Sequence, residues 1–171
     1  SVGLCSYIFR DDSAGEKFHS ALIEAQRRGV KVCVLIDGVG GGYFWSGTYN
    51  RLRKAGVPVA RFLHSYFPWR TPFVNLRNHR KLLVIDGRVA FTGGLNISDD
   101  YAAVEDGGKG WRDTHVRIYG PDAASLERLF LTTWQTHRGP GIDGPRFRRP
   151  RQAGCEKLRV VGNDFALDRK G

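Results

Sequence analysis

At 171 residues and 19.2 kDa, with 41% hydrophobic and 12% aromatic content, the chain has the size and composition of one globular domain with its own core. Its charge is less ordinary: 27 Lys+Arg against 17 Asp+Glu give +10 and a pI near 10.0, a surplus that favours anionic partners such as nucleic acid, anionic lipid or phosphorylated substrates. No apolar stretch approaches the length of a membrane span, no signal peptide is visible, and Cys5, Cys33 and Cys155 lack the spacing of a zinc site. The odd cysteine count fits a reducing compartment. The chain starts with Ser and contains no Met, which reads as a piece of a longer protein.

Residues 4–9 (LCSYIF) are expected to form a buried strand. A helical pattern follows, with Phe18, Ala21, Leu22 and Ala25 on one face, ending in Arg27-Arg28-Gly29, cations and then glycine, as a helix C-terminus prefers. Residues 30–36 (VKVCVLI) form a near-continuous apolar run, the pattern of a strand covered on both faces. Strand, helix and strand in this order make a βαβ unit with parallel strands. The glycine-rich stretch 37–47 (DGVGGGYFWSG) has neither a P-loop nor a G-x-G-x-x-G pattern, so it is expected to be an ordinary loop, with Asp37 at a strand end. A second helix is expected over 49–55 and a third strand over 57–63.

Residues 64–78 (HSYFPWRTPFVNLRN) are aromatic-rich and fit either a loop tucked over the core or a substrate-lining lid. Next come two short apolar runs, 82–85 and 89–91, separated by Asp86-Gly87, a strong hairpin signal. His79 and Lys81, two apart, would share one face at the start of the first strand. Gly93, Gly94 and Asn96 would return toward the same end. Residues 111–119 (WRDTHVRIY) alternate like a half-buried strand with Asp113, His115 and Arg117 on one side. Residues 122–134 read as a helix whose stripe is Leu126, Leu129, Phe130 and Trp134. Residues 138–156 are rich in Arg, Pro and Gly and read as a basic linker or loop; 157–161 (KLRVV) begin another strand.

The polar constellation suits phosphate chemistry. An imidazole can attack phosphorus and split one displacement into two steps. An adjacent ammonium stabilises the pentacoordinate state, Asn96 can donate two N–H bonds, and paired glycines let the backbone approach a phosphate. No carboxylate cluster stands at metal spacing, so charge compensation is expected to be metal-free and no cofactor is called for.

The run HRKLLVIDGRVAFTGGLN resembles the H-x-K-x4-D-x6-G-[GS]-x-N signature of the phospholipase D superfamily. SYIFRDD, RGVKVCVLIDGVG, GGLNISDDY and WRDTHVRIYGP resemble its cardiolipin-synthase branch. The resemblance implies a phospholipase D-like α/β sandwich: a mixed, largely parallel sheet flanked by helices on both faces, with the hairpin near its centre. It implies His79 as phosphohistidine nucleophile or as general acid, Lys81 and Asn96 as phosphate holders with Gly94, Asp86 as support for the hydrogen-bond network, and Asp113 as the acid that orients the histidine. It also implies an anionic phospholipid substrate, a cytoplasmic location at the inner membrane surface, and two H-x-K copies per active site. This chain has one copy, because His19, His64, His115 and His137 lack a Lys two residues later. Residues 1–137 are therefore expected to be one motif-bearing unit and 157–171 the start of a second. Alternatively the chain pairs with another copy, as single-motif nucleases of the superfamily do, which leaves nucleic acid open as a substrate; a silent half that only binds anions is the third reading.

Overall fold

The computed structural model describes residues 1–38, 46–62 and 77–138. Most of the glycine-rich stretch and of the aromatic segment, the basic linker after its first residue, the closing strand and Cys155 lie outside the described residues. Within them are six strands, β1 (Val2–Ser6), β2 (Val32–Asp37), β3 (Val59–Phe62), β4 (Leu82–Ile85), β5 (Val89–Gly93) and β6 (His115–Tyr119), and three α-helices, α1 (Ser13–Arg27), α2 (Gly47–Lys54) and α3 (Pro121–Arg138).

Strand β2 sets the pattern. Every residue is buried: Val32, Val34 and Ile36 face one side, Cys33 and Leu35 the other. A strand with no polar alternation must be covered twice. Helices α1 and α2 cover the first face through Leu22, Ala25 and Leu52; α3 covers the second through Ala123, Leu126, Phe130, Leu131 and Trp134. Each such Leu contributes about 1.5–3 kcal/mol on burial. At Gly3 an added Cβ would stand 2.8 Å from Phe130 Cδ1, so the missing side chain is what lets α3 lie this close to β1.

The sheet order is β3-β2-β1-β4-β5-β6. The pairs β1–β2 and β2–β3 are parallel, as a helical crossover requires, while β1–β4, β4–β5 and β5–β6 are antiparallel. The sheet is thus mixed, with β1, β2, β3 and β5 running one way and β4 and β6 the other. Parallel pairing is confined to the first three strands, a smaller share than the sequence suggests, because β4 pairs antiparallel with β1 and each of β5 and β6 runs back beside the strand before it. The hairpin sits where expected, with β4 one of the two central strands. Asp86 and Gly87 take φ of 53° and 60°, and Arg88 N donates to Ile85 O at 3.0 Å, closing the tight turn.

Several boundaries differ from the sequence reading. The first strand stops at Ser6 rather than 9, and the chain leaves the sheet there. Phe9 is still core, 2% exposed, but reaches it through a lone bridge to Ile97. Strand β4 begins at Leu82, so His79 and Lys81 precede it instead of lying on it. Strand β6 begins at His115; Trp111 before it is 50% exposed. Helix α3 runs on to Arg138.

Candidate active site

Because β1, β2 and β5 run opposite to β4 and β6, the C-terminal ends of the first three and the N-terminal starts of the other two meet at one end of the sheet. The segment 77–81 crosses that end and is fixed from below. Asn78 is buried: its N–H donates to Asp37 Oδ2 at 2.9 Å, its Nδ2 to Cys5 Sγ at 3.1 Å, and its Oδ1 accepts from Arg80 N at 3.2 Å. Arg80 Nη1 in turn donates to Thr133 Oγ1 of α3 at 2.7 Å. Burial pushes the Cys5 thiol up to about 12, against the pull of the Asn78 bond, so it is an inert acceptor at neutral pH. With both neighbours anchored inward, His79 is left exposed at the surface.

Two side chains lie against it. The Tyr7 ring, just beyond β1, stacks on the His79 imidazole with centroids 4.0 Å apart and planes 17° from parallel. Lys81 Nζ lies 5.3 Å from the centre of the same Tyr7 ring and donates to His79 O at 2.9 Å. Thr92 Oγ1 donates to Lys81 O at 2.9 Å, fastening the lysine backbone to β5. Partial burial lowers the Lys81 ammonium, with the Asp113 carboxylate pushing it back up.

The glycine pair forms the neighbouring surface. Gly93 pairs with His115, and Gly94 N donates to Thr114 O at 3.0 Å. A Cβ at Gly93 would fall 2.1 Å from Thr114 O and 2.9 Å from His115 Nδ1; one at Gly94 would fall 2.0 Å from Asp113 Oδ1. Only glycine allows the 113–115 segment to lie this close. The Asp113 carboxylate accepts from Thr114 N at 2.7 Å and makes no hydrogen bond to His79 among the described residues. His115 Nδ1 is buried without a hydrogen-bond partner among the described residues, and burial lowers the imidazole, Asp113 opposing and Lys81 reinforcing that shift.

Asn96 bridges two segments. Its Oδ1 accepts from Ile8 N at 3.2 Å and its Nδ2 donates to Tyr101 Oη at 2.9 Å, leaving one amide N–H uncommitted among the described residues. The following loop is riveted to the start of α1: Asp99 accepts from Ser13 N and Ala14 N at 3.0 and 2.7 Å, and Asp12 Oδ2 from Asp99 N at 2.8 Å. Asp100 pairs with Lys109 at 2.8 Å and Arg10 at 3.1 Å.

The structure therefore brings His79, Lys81, Gly93, Gly94, Asn96 and Asp113 to one end of the sheet. It does not bring Asp86 there. That residue sits in the hairpin turn beside Ser1, at the far end of β4, roughly 15 Å along the chain from Lys81 at the rise of an extended strand. Three residues at the site are not singled out by the sequence reading: Tyr7, Asn78 and His115. In the sequence His115 reads as sharing a strand face with Asp113 and as a histidine without a Lys two residues later, and Tyr7 as part of an apolar run and of SYIFRDD.

The chain is similar to known proteins in sequence and in fold. Cardiolipin synthases from Geobacillus sp. and Halalkalibacterium halodurans are 40% and 37% identical over 145 and 144 residues, 84% of this chain in each case. The chain spans 29% of the length of those relatives. Among solved structures, the phospholipase D family member Nuc from Salmonella typhimurium superposes with a TM-score of 0.60 at 22% identity, covering 80% of this chain and 79% of that one, a likeness of fold. Residues 1–134 match the family model described as cardiolipin synthase, PLD-like domain, and the chain belongs to that family.

Proposed function

We propose that the full protein is a metal-independent phosphatidyl transferase or phosphodiesterase of the cardiolipin-synthase type, working through a covalent phosphohistidine at His79. The observation that carries this reading is the convergence of an exposed imidazole, an adjacent ammonium, two glycines and an amide at one end of the sheet, in a chain of the cardiolipin-synthase family.

In this reading a ring nitrogen of His79 attacks the phosphorus of a phosphatidyl group, forming N–P as the P–O bond to the leaving alcohol breaks. The leaving oxygen takes its proton from a second histidine supplied by other sequence. The hydroxyl of a second lipid then attacks the phosphohistidine, giving its proton back to that second histidine, and His79 is released. Lys81 and the free N–H of Asn96 hold the phosphoryl oxygens, with the backbone at Gly94 close by. Asp113 acts on Lys81 through its charge. Asp86, remote from these groups, is read as a turn residue.

Residues 1–137 would be the motif-bearing half and 157–171 the opening of another. Among the described residues no helix is long and apolar enough to cross a membrane. The surplus of +10 suits peripheral contact with an anionic cytoplasmic leaflet.

The test is turnover of phosphatidylglycerol by the full-length protein and by His79→Asn, with and without chelator, beside single-stranded DNA. Loss of lipid turnover in the variant, on the order of 10³-fold or more for a lost nucleophile, with no chelator effect, is expected. Undiminished turnover in the variant would sink the nucleophile assignment. Cleavage of DNA alone would favour the single-motif nuclease, and binding of either anion without turnover the silent half.

A further inference from the structure

We propose that Tyr7 is a positioning residue for His79: its ring face fixes the plane of the imidazole while leaving the ring edge, where the nitrogens carry their lone pairs and protons, open to phosphorus. The inference rests on His79 being the nucleophile and goes beyond it, since no step of that chemistry requires an aromatic neighbour.

The geometry is that of a flat stack, 4.0 Å between centroids and 17° between planes. Stacking opposes rotation of the imidazole about its last side-chain bond, because turning the ring would drive its edge into the Tyr7 face. Ring nitrogens react in the plane of the ring, so a covered face costs nothing in access. The exposed position of His79 makes the restraint necessary: its backbone is anchored through Asn78 and Arg80, yet among the described residues its own ring has no hydrogen-bond partner that would orient it. The centre of the same Tyr7 ring lies 5.3 Å from Lys81 Nζ, so one ring contacts both motif side chains.

Tyr7 is itself well held. Ser6 Oγ donates to Ile8 O at 2.6 Å, Ile8 N donates to Asn96 Oδ1 at 3.2 Å, and Ile97 N donates to Ile8 O at 3.1 Å. Asn96 thus steadies the platform on which His79 rests, in addition to any bond it makes to phosphate. Among the described residues the Tyr7 contacts to His79 and Lys81 are made by the ring and none by the hydroxyl, which makes the hydroxyl dispensable.

The experiment compares Tyr7→Phe, Tyr7→Leu and His79→Asn in the full-length protein, reading kcat and KM on phosphatidylglycerol vesicles. Tyr7→Phe is expected to keep wild-type kcat. Tyr7→Leu is expected to lose kcat on the order of 10- to 100-fold with KM little changed, the effect of a misaligned nucleophile. Wild-type kcat in Tyr7→Leu while His79→Asn is inactive would overturn the positioning role and leave the nucleophile standing; so would a loss in Tyr7→Phe as large as in Tyr7→Leu. Activity in His79→Asn would instead remove the nucleophile on which the inference rests. Should Tyr7→Leu fail to fold, proton NMR of the wild type and Tyr7→Phe decides. Stacked His79 ring protons resonate upfield of a free histidine in both proteins, and unshifted signals in the folded wild type rule the stack out.

Discussion

At Gly94 the site has no space for a side chain. A methyl group there would lie 2.0 Å from Asp113 Oδ1 and 2.2 Å from its carboxyl carbon, well inside contact distance. Gly94→Ala must therefore push the carboxylate away, and with it the charge that holds the Lys81 ammonium up. Because that carboxylate ends an exposed, flexible side chain that can swing aside, we expect a stability loss of under about 1 kcal/mol and a fall in turnover well beyond what that loss explains. Urea unfolding and kcat on the same preparation check both; a variant as active as the wild type would show that the place of the Asp113 carboxylate does not matter to turnover. Much of the residue-scale picture is legible in the sequence, because His79, Lys81, Gly94 and Asn96 come at fixed spacing along one hairpin. Tyr7 is not legible. Its position next to His79 depends on β1 pairing antiparallel with β4, which matches Cys5 with Leu82, and on the chain leaving the sheet after Ser6. No pattern within SYIF announces either event. Asp86 errs in the other direction: spacing groups it with His79, but four strand residues carry it to the opposite end of the hairpin.

Among the elements, α3 carries a group with a cost. Glu127 is 3% exposed, its Oε1 receives only a long bond from Ser1 Oγ at 3.4 Å, and its Oε2 has no hydrogen-bond partner among the described residues. Burial pushes its carboxyl up from 4.5 to about 7. A raised carboxyl binds its proton more tightly in the folded chain than in the unfolded one. Below about pH 4.5 both states are protonated and nothing is lost; as pH rises from there to about 7 the unfolded state ionises first and stability falls, then levels off. Glu127→Gln removes that slope. Urea unfolding at pH 8 should show the variant more stable by on the order of 1–3 kcal/mol, with little difference at pH 4.5. Equal stability at both values would mean that the carboxyl finds solvation in the folded state. The helix is easy to read in the sequence from its apolar stripe, which correctly gives Leu126, Phe130 and Trp134. The burden at Glu127 is harder to read, because it lies beside that stripe, one residue past Leu126, and only the close approach of α3 to β1 at Gly3 decides that it is covered.

For the molecule as a whole, one imidazole cannot both attack phosphorus and protonate the leaving oxygen in the same step. The chain carries one H-x-K copy, so within the proposed chemistry the second histidine comes from elsewhere in a longer protein or from a second copy of this chain. The two sources differ in how activity responds to dilution with an inactive partner. If two identical copies share each site, His79→Asn mixed with wild type in equal amounts and allowed to exchange leaves active pairs only where both members are wild type, about one quarter of the total by random pairing. Activity per wild-type molecule then falls to about half. If the second histidine lies in the same polypeptide, each wild-type molecule keeps its own site, and activity per wild-type molecule is unchanged at every mixing ratio. Turnover across a titration of variant into a fixed amount of wild type, after incubation long enough for exchange, separates a falling curve from a flat one. The chain spans 29% of the length of the cardiolipin synthases it matches, so the proposal expects the flat curve. A full-length protein that gives the flat curve while the 171-residue chain alone is folded, monomeric and inactive would establish that the hairpin holds half of one site and that its complement lies on the same polypeptide.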